Sequence, residues 1–365
     1  MRILHVYNNF HPFKGGIESY IEDLCSELIK SGHTSDVCCL DRLPKTKEKL
    51  PKREAYKGIT IHRIPFMDTK YYKIAPSVLK IAKRYDIVHV YGTGFFSDFL
   101  CLTKILHRKP VFVSGVGGVF HTKDISGIKK VYFNLWCRFA LHNAEKIIAI
   151  SDHDRKLFSK ISLKVEVIPV PIATEKFMSK ERKKSNFKMV YVGRISKNKR
   201  IDRLIDVVKI LARQEPRTKL YIIGKDWEGL RASLEKRVLS EGIWKNVEFV
   251  GEASNAEMLR HMHEATFFLS ASEYESFGIS AVEAMASGLI VVLNDLDSFR
   301  YFVRNGENGY VVDYSKPEEV AALIFRLSKT PLSGISKKAM ERVKEFRKSD
   351  VSKKIEALYV NGMKN

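Results

Sequence analysis

Short apolar runs alternate along the chain with stretches of helical period. Residues 2–7 read as a buried strand. Gly15-Gly16 then open a helix running to about Lys30, with Ile17, Tyr20, Ile21, Leu24, Leu28 and Ile29 on one stripe. Further strands are predicted over residues 36–40, 58–64, 86–91, 110–114 and 146–150. Strands that alternate with helices pair in parallel, so the pattern predicts an α/β, doubly wound sheet. Around residues 167–171 two prolines interrupt the pattern, and residues 180–188 are polar and lysine-rich, as a linker is. A second series follows, with strands over 188–192, 219–223, 246–250, 266–270, 289–293 and 309–313. Helices are expected between them, including 200–213 and 277–287, and a charged helical stretch over about 336–359 closes the chain. The expected architecture is two doubly wound Rossmann-like domains facing a cleft. The first spans residues 1–168, a linker 169–187, the second 188–335, and a C-terminal helical segment 336–365 packs back toward the first.

Composition adds to this picture. The 365 residues, 45% of them apolar, suffice for two cores. No apolar run approaches the ~18 residues of a membrane-spanning helix. The first residues turn polar too soon for a signal peptide, so a cytoplasmic protein is expected, with peripheral contact at the inner face of the membrane. Cys25, Cys38, Cys39, Cys101 and Cys137 form an odd, scattered set without a CxxC pair. That favours reduced, mostly buried thiols over a disulfide scaffold or a zinc site. The formal charge of +21 is uneven: between Arg42 and Arg84, thirteen Lys or Arg face only Glu48, Glu54 and Asp68. A basic surface suits nucleic acid, an anionic membrane or an anionic substrate, and equally a solvated face without a partner. No helix-turn-helix, zinc or aromatic-ladder signature supports nucleic acid, and an anionic membrane surface is the expected partner of that segment.

Four places carry candidate chemistry. In residues 272–288, a loop with Glu273 and Glu275 follows a strand, Gly278 opens a helix, and Glu283 sits on its second turn. The first amides of that helix, about Phe277, Gly278, Ile279 and Ser280, suit a diphosphate, and Glu283 suits two ribose hydroxyls. Gly193-Arg194 and Lys199 directly follow the first strand of the second domain, so fixed cations stand where a leaving diphosphate gains charge. Lys197 and Arg200 beside them are read as solvated. Gly15-Gly16 and Glu18 lie between the first strand and helix, where glycine lets the backbone approach a ligand, although a tight turn without a ligand has the same sequence. Gly117-Gly118 and His121 follow the fifth strand, with His121 either a polar contact near a reacting sugar or a structural histidine. Asp152-His153-Asp154 and Asp295-Leu296-Asp297 are read as chance matches to a metal-holding pair. His261 and His263 cannot share one helix face, and no metal site is expected. Trp136 with Tyr132, Phe133 and Phe139 is read as core or domain surface in preference to a membrane anchor.

In this order and spacing the four segments resemble the GT-B glycosyltransferases, specifically the large retaining family 4 group, over nearly the whole chain. The resemblance implies transfer of a hexose, of mannose or glucose type, from a nucleotide-diphosphate sugar with retention of configuration. It implies no cofactor and no metal, the donor being GDP- or UDP-linked. Arg194 and Lys199 would bind the diphosphate, Glu275 the donor sugar hydroxyls, Glu283 the ribose, and the amides of Phe277, Gly278 and Ile279 sugar and phosphate. Gly16 would bring its amide to the distal phosphate, His121 would touch the donor sugar, Gly193 would precede the cations, and Gly251 would lie near the base. Three departures are present: Val170-Pro171 replaces the usual Asn-Gly, Ile290 replaces a usual Pro, and an acidic residue usual near Arg300 is replaced. The segments Gly193–Asp202 and Ser272–Gly278 look most like mannosyltransferases acting on lipid-linked exopolysaccharide intermediates, so a lipid-linked or glycan acceptor is implied. A sugar phosphorylase or sugar-nucleotide epimerase of the same fold is the alternative.

Overall fold

The computed structural model describes residues 1–13, 15–43, 48–69, 72–116, 126–178 and 185–364. The chain divides into two compact units, residues 1–172 with 346–365, and residues 173–345.

The first unit is built on β1 (Arg2–Val6), β2 (Thr34–Leu40), β3 (Arg53–Tyr56), β4 (Ile59–Ile64), β5 (Ile87–Tyr91), β6 (Val111–Ser114), β7 (Lys146–Ala149) and β8 (Val165–Val167), in the order β8-β7-β6-β5-β1-β2-β4-β3. Every neighbouring pair is parallel except β3 with β4. Helices such as α1 (Gly16–Lys30) and α2 (Phe95–Leu102) connect the strands. The central strands are buried from end to end, as strands covered on both faces are, which is why they read as continuous apolar runs. β3 and β8 were not expected. β3 lies at one edge of the sheet with half-exposed residues, and β8, three residues long, at the other. Edge strands need no apolar face, so they carry little hydrophobic signal.

Two histidines stand in the middle of this sheet, His5 opposite His89 in register. Both are fully buried. His5 Nδ1 lies 2.7 Å from Tyr91 Oη and its Nε2 2.9 Å from Ser35 Oγ. His89 Nδ1 lies 2.6 Å from Tyr359 Oη and its Nε2 2.8 Å from Ser114 Oγ. The hydrogen bonds satisfy groups that would otherwise be costly to bury. All five cysteines are buried and free.

The second unit holds a six-stranded sheet of β9 (Ser185–Val192), β10 (Lys219–Ile223), β11 (Val247–Gly251), β12 (Ala265–Ser270), β13 (Ile290–Asn294) and β14 (Tyr310–Val312). All pairs are parallel, in the order β11-β10-β9-β12-β13-β14, the Rossmann order 3-2-1-4-5-6. Between the strands run α3 (Ile201–Gln214), α4 (Asn255–Glu264) and α5 (Ile279–Ala286). Helix α3 buries Ile201, Leu204, Ile205, Val208 and Leu211 against the sheet, at helical spacing.

The C-terminal stretch is not one segment. Helix α6 (Ser333–Arg342) belongs to the second unit, where Ser336 Oγ donates to the Gly288 carbonyl at 2.7 Å. A 3₁₀ turn, Val343–Phe346, follows, and α7 (Lys348–Gly362) lies in the first unit. The chain returns beside its point of exit: Ile172 N–H donates to the Phe346 carbonyl (2.8 Å), and Lys348 N–H to the Ile172 carbonyl (3.0 Å).

Candidate active site

In an open α/β sheet the crevice for ligands lies outside the carboxyl ends of the strands, where the order reverses. In the second unit that point is between β9 and β12. The two loops leaving these strands carry Arg194 and Lys199 on one side, and Glu275 and Gly278 on the other.

Behind β9, Gly193 N–H donates to the Ile223 carbonyl (2.9 Å), Ile195 N–H to the Lys225 carbonyl (2.9 Å) and Trp227 N–H to the Ile195 carbonyl (3.0 Å), while Gly224 N–H donates to Gly251 (2.7 Å). These bonds zip together the ends of β9, β10 and β11. The approach is close enough that a Cβ on Gly224 would lie 2.0 Å from the Gly193 carbonyl oxygen. Arg194 is exposed, with its guanidinium 5.2 Å from the Trp227 ring centroid and its carbonyl accepting from Tyr191 Oη at 2.9 Å. Burial, with the Glu275 charge adding, pushes the Tyr191 hydroxyl well above its ordinary range, so it stays a donor.

Lys199 ends a 3₁₀ turn and forms an ion pair with Glu275, 76 positions along the chain. Ser272 Oγ donates to the same carboxylate at 3.0 Å. Asn198 bridges the two loops as well: its carbonyl accepts from Glu273 N–H (2.8 Å) and its amide nitrogen lies 3.4 Å from the Tyr274 carbonyl. Arg200, read as solvated, instead pairs with Asp202 and Glu273.

Gly278 caps α5 in the left-handed region (φ 98°), and a Cβ there would meet Phe299 at 2.6 Å. No side chain caps this helix among the described residues, so its first amides point at the same strand edge with the positive end of the helix dipole. Phe277 is buried and fixes the turn, Ile279 starts the helix, and Glu283 is the half-buried position among buried Ala281, Val282, Ala284 and Met285. Side chains on a helix lean toward its N-terminus, the end that carries those amides. Gly251 ends β11 on the far side of the Gly224 contact.

The structure thus gathers Gly193, Arg194, Lys199, Gly251, Glu275, Phe277, Gly278, Ile279 and Glu283 at one sheet edge. Gly16 begins α1 at the carboxyl edge of β1, in the first unit. His121, with Gly117 and Gly118, lies outside the described residues. Gly224, Asp226, Trp227 and Ser272 were missed. A signal existed for the first: a glycine follows each of the strands expected over 188–192, 219–223 and 246–250.

The first acidic residue of each discounted Asp-x-Asp pair has an ordinary partner. Asp152 pairs with Arg155 and Asp295 with Arg300. Among the described residues no three His, Cys, Asp or Glu side chains group as metal ligands, and no helix is long and apolar enough to cross a membrane. Several cations between Arg42 and Arg84 are engaged: Arg42 with Asp41, Lys57 with Glu22, Arg63 with Glu54 and Lys73 with Asp68.

Comparison with known proteins places these features. Residues 173–349 match the family model described as glycosyl transferases group 1, and residues 14–176 match glycosyltransferase family 4. The chain is 32% identical over 332 residues to the GDP-mannose:cellobiosyl-diphosphopolyprenol alpha-mannosyltransferase of Xanthomonas campestris, covering 90% of this chain and 87% of that one. An enzyme of the same description from Komagataeibacter xylinus is 30% identical, with 86% and 80% covered. Among solved structures, HepE of Anabaena in complex with UDP superposes with a TM-score of 0.78 at 19% identity, covering 99% of this chain and 100% of that one. Sucrose-phosphate synthase of Thermosynechococcus elongatus gives 0.76 at 18%, with 99% and 98% covered.

Proposed function

The chain belongs to the group 1 glycosyltransferases, and we propose that within this family it transfers mannose from GDP-mannose to a lipid-linked glycan, with retention of configuration. The carrying observation is the juxtaposition of Arg194, Lys199 and the uncapped start of α5 at the β9–β12 switch point. A diphosphate leaving group gains negative charge as the glycosidic bond breaks, and preset cations and amides stabilise that change more than they stabilise the bound donor. Glu275 is assigned to the donor sugar hydroxyls, Glu283 to the ribose, and the amides of Phe277, Gly278 and Ile279 to sugar and phosphate. Gly251 is assigned to the base side, and Gly16 and His121 to the distal phosphate and the sugar. The departing phosphate takes the acceptor proton on the face from which it leaves, so the nucleophile enters on that same face.

GDP-mannose and a diphosphopolyprenol-linked acceptor are favoured because relatives at about 30% identity over most of the chain are named for them. Those relatives are alpha-mannosyltransferases, the outcome of retention from an α-linked donor. A lipid-linked acceptor places the reaction at a membrane surface, toward which the basic stretch between Arg42 and Arg84 adds attraction. The test is transfer from GDP-mannose, UDP-glucose and UDP-N-acetylglucosamine to a short-chain polyprenyl-diphosphate oligosaccharide, with the product anomer read by NMR. An α-mannosylated product from GDP-mannose supports the reading. Transfer from a UDP sugar alone, or a β product, defeats it.

A further inference from the structure

Strand β4 carries one residue that breaks its pattern. Alternation along the strand puts Arg63 on the same face of the sheet as Ile59 and Ile61, and its side chain is fully buried. The guanidinium has three partners. Nη1 donates to the Pro51 carbonyl at 3.1 Å, and Nη2 to the His11 carbonyl at 2.6 Å and to the Glu54 carboxylate. Among the described residues its Nε has no partner.

Burying a guanidinium against one carboxylate and two carbonyls adds little to stability, since an apolar side chain of similar volume avoids the desolvation cost. What arginine adds is geometry: its planar fork reaches two backbone carbonyls in fixed directions. One belongs to Pro51, just before β3. The other belongs to His11, 52 positions away in the loop between β1 and α1.

The antiparallel pair β3–β4 holds that loop at further points. The His11 ring stacks on Tyr56 of β3, with centroids 3.9 Å apart and planes 17° from parallel, and the buried Phe10 ring stands T-shaped to Tyr56 at 6.3 Å. Tyr56 Oη in turn donates to Glu22 of α1 at 3.4 Å, and Lys57 pairs with the same carboxylate. The hairpin thus grips the loop at His11 and the helix at Glu22, and Gly15 and Gly16 lie between those grips in the chain. The path to the glycines is short. Phe13 N–H donates to the Phe10 carbonyl (3.1 Å), and the Phe13 ring lies 3.5 Å from where a Cβ on Gly15 would stand.

We propose that Arg63 is a positioning residue for the transfer reaction: through the His11 carbonyl it holds the loop before α1 in the arrangement that presents the Gly16 amide to the distal phosphate. This role rests on the proposed transferase reading, which assigns Gly16 to that phosphate, and adds the device that keeps Gly16 in place. An amide that meets charge developing on a leaving group acts only from a fixed position, and a displacement of about 1 Å forfeits much of its effect.

The experiment measures amide exchange and steady-state transfer from GDP-mannose on the full chain, for the wild type, Arg63→Met, Arg63→Lys, Tyr56→Ala and the double variant Tyr56→Ala/Arg63→Met. Arg63→Met should fold, because the Glu54 side chain is 33% exposed and regains water when its partner goes. Exchange should quicken in the peptide from Phe10 to Tyr20 and stay unchanged in the second unit. kcat should fall roughly ten- to hundredfold, with donor KM changed by less than about threefold. Arg63→Lys keeps the charge but lacks the fork, so it should recover only part of the rate. Tyr56→Ala should lower kcat by a smaller factor, and the double variant by less than the product of the two, since both act through one loop. If Arg63→Met does not fold, Tyr56→Ala and Arg63→Lys carry the same measurements. Exchange in the Phe10 to Tyr20 peptide equal to wild type overturns the proposal. So does a kcat within about twofold of wild type, or a loss carried entirely by donor KM. A wild type that transfers nothing from GDP-mannose, while exchange still quickens in Arg63→Met, removes the transferase reading and leaves the grip on the loop standing.

Discussion

Lys199 is held by Glu275 before any donor arrives, and both side chains are mostly shielded, 14% and 18% exposed. A cation already fixed in place costs little reorganisation when the diphosphate charge develops. Lys199→Ala is therefore expected to lower kcat/KM about a hundredfold or more while leaving the melting transition in place. Glu283→Ala should act mainly on donor KM, since the ribose is bound alike before and during reaction. Arg194 depends on a residue outside the expected set. Its guanidinium stands over Trp227, whose loop is tied down by Asp226, which accepts from the N–H groups of Glu228, Leu230 and Arg231. Desolvation works against the Asp226 charge, yet those backbone bonds still hold its carboxyl below the ordinary range. A cation–π contact is worth about 0.5–2 kcal/mol, so Trp227→Leu should weaken GDP-mannose binding roughly two- to thirtyfold, and Trp227→Phe should restore most of it. Equal donor affinity in Trp227→Leu and wild type would show that the indole does not position Arg194.

At the scale of elements, strands buried on both faces announced themselves in the sequence, as did the strand, loop and helix that set Glu275 and Glu283 eight residues apart. What stayed hidden depends on tertiary contact. The Lys199–Glu275 pair spans 76 positions. Trp227 sits in the polar run Lys225-Asp226-Trp227-Glu228-Gly229, which has no period to reveal it. The break between α6 and α7 has no Gly or Pro to mark it; it follows from burial of Phe346 and the return of the chain to Ile172. Helix α7 is then fastened by Tyr359 at His89, by His33 against Glu356 at 2.8 Å, and by Lys348 near Asp23 and Glu27. Tyr359→Phe deprives His89 Nδ1 of its nearest partner, although Tyr91 Oη stands 3.3 Å away and can partly replace it. The expected cost is about 1 kcal/mol, the lower end for a buried group left short of a partner. It should appear as faster amide exchange confined to Lys348–Gly362 and its neighbours. Unchanged exchange would mean that the hydroxyl does not fasten the helix.

At the scale of the whole molecule, the buried histidine pair is expected to weaken the fold in acid, with His62, His107 and His261, which burial also lowers, adding to it. Burial lowers His5 from its ordinary 6.5 to about 3. Burial, with the nearby His5 adding, drops His89 well below its usual range. The groups facing the two rings are Tyr91, Ser35, Tyr359 and Ser114, and the rings lie 5.7 Å apart, so none of these contacts offers an imidazolium a carboxylate. Above pH 6.5 both rings are neutral folded and unfolded, and the fold keeps its full stability. Between pH 6.5 and about 3 the unfolded chain takes up protons that the folded first unit refuses, so stability falls as pH falls, toward about 1.4 kcal/mol per pH unit for each histidine. Carboxylates held below their ordinary range, such as Asp86 beside Arg2 and Glu27 beside Lys30 and Lys348, extend the loss at lower pH, although desolvation opposes their charged forms. The expectation is a melting temperature that is flat from pH 8 to 7 and declines below about 6. The His5 and His89 ring resonances should stay those of neutral imidazole down to the pH of unfolding. Native-state titration of either ring near 6.5 would show that the first unit tolerates the charge, and would remove the histidine pair as the source of acid instability.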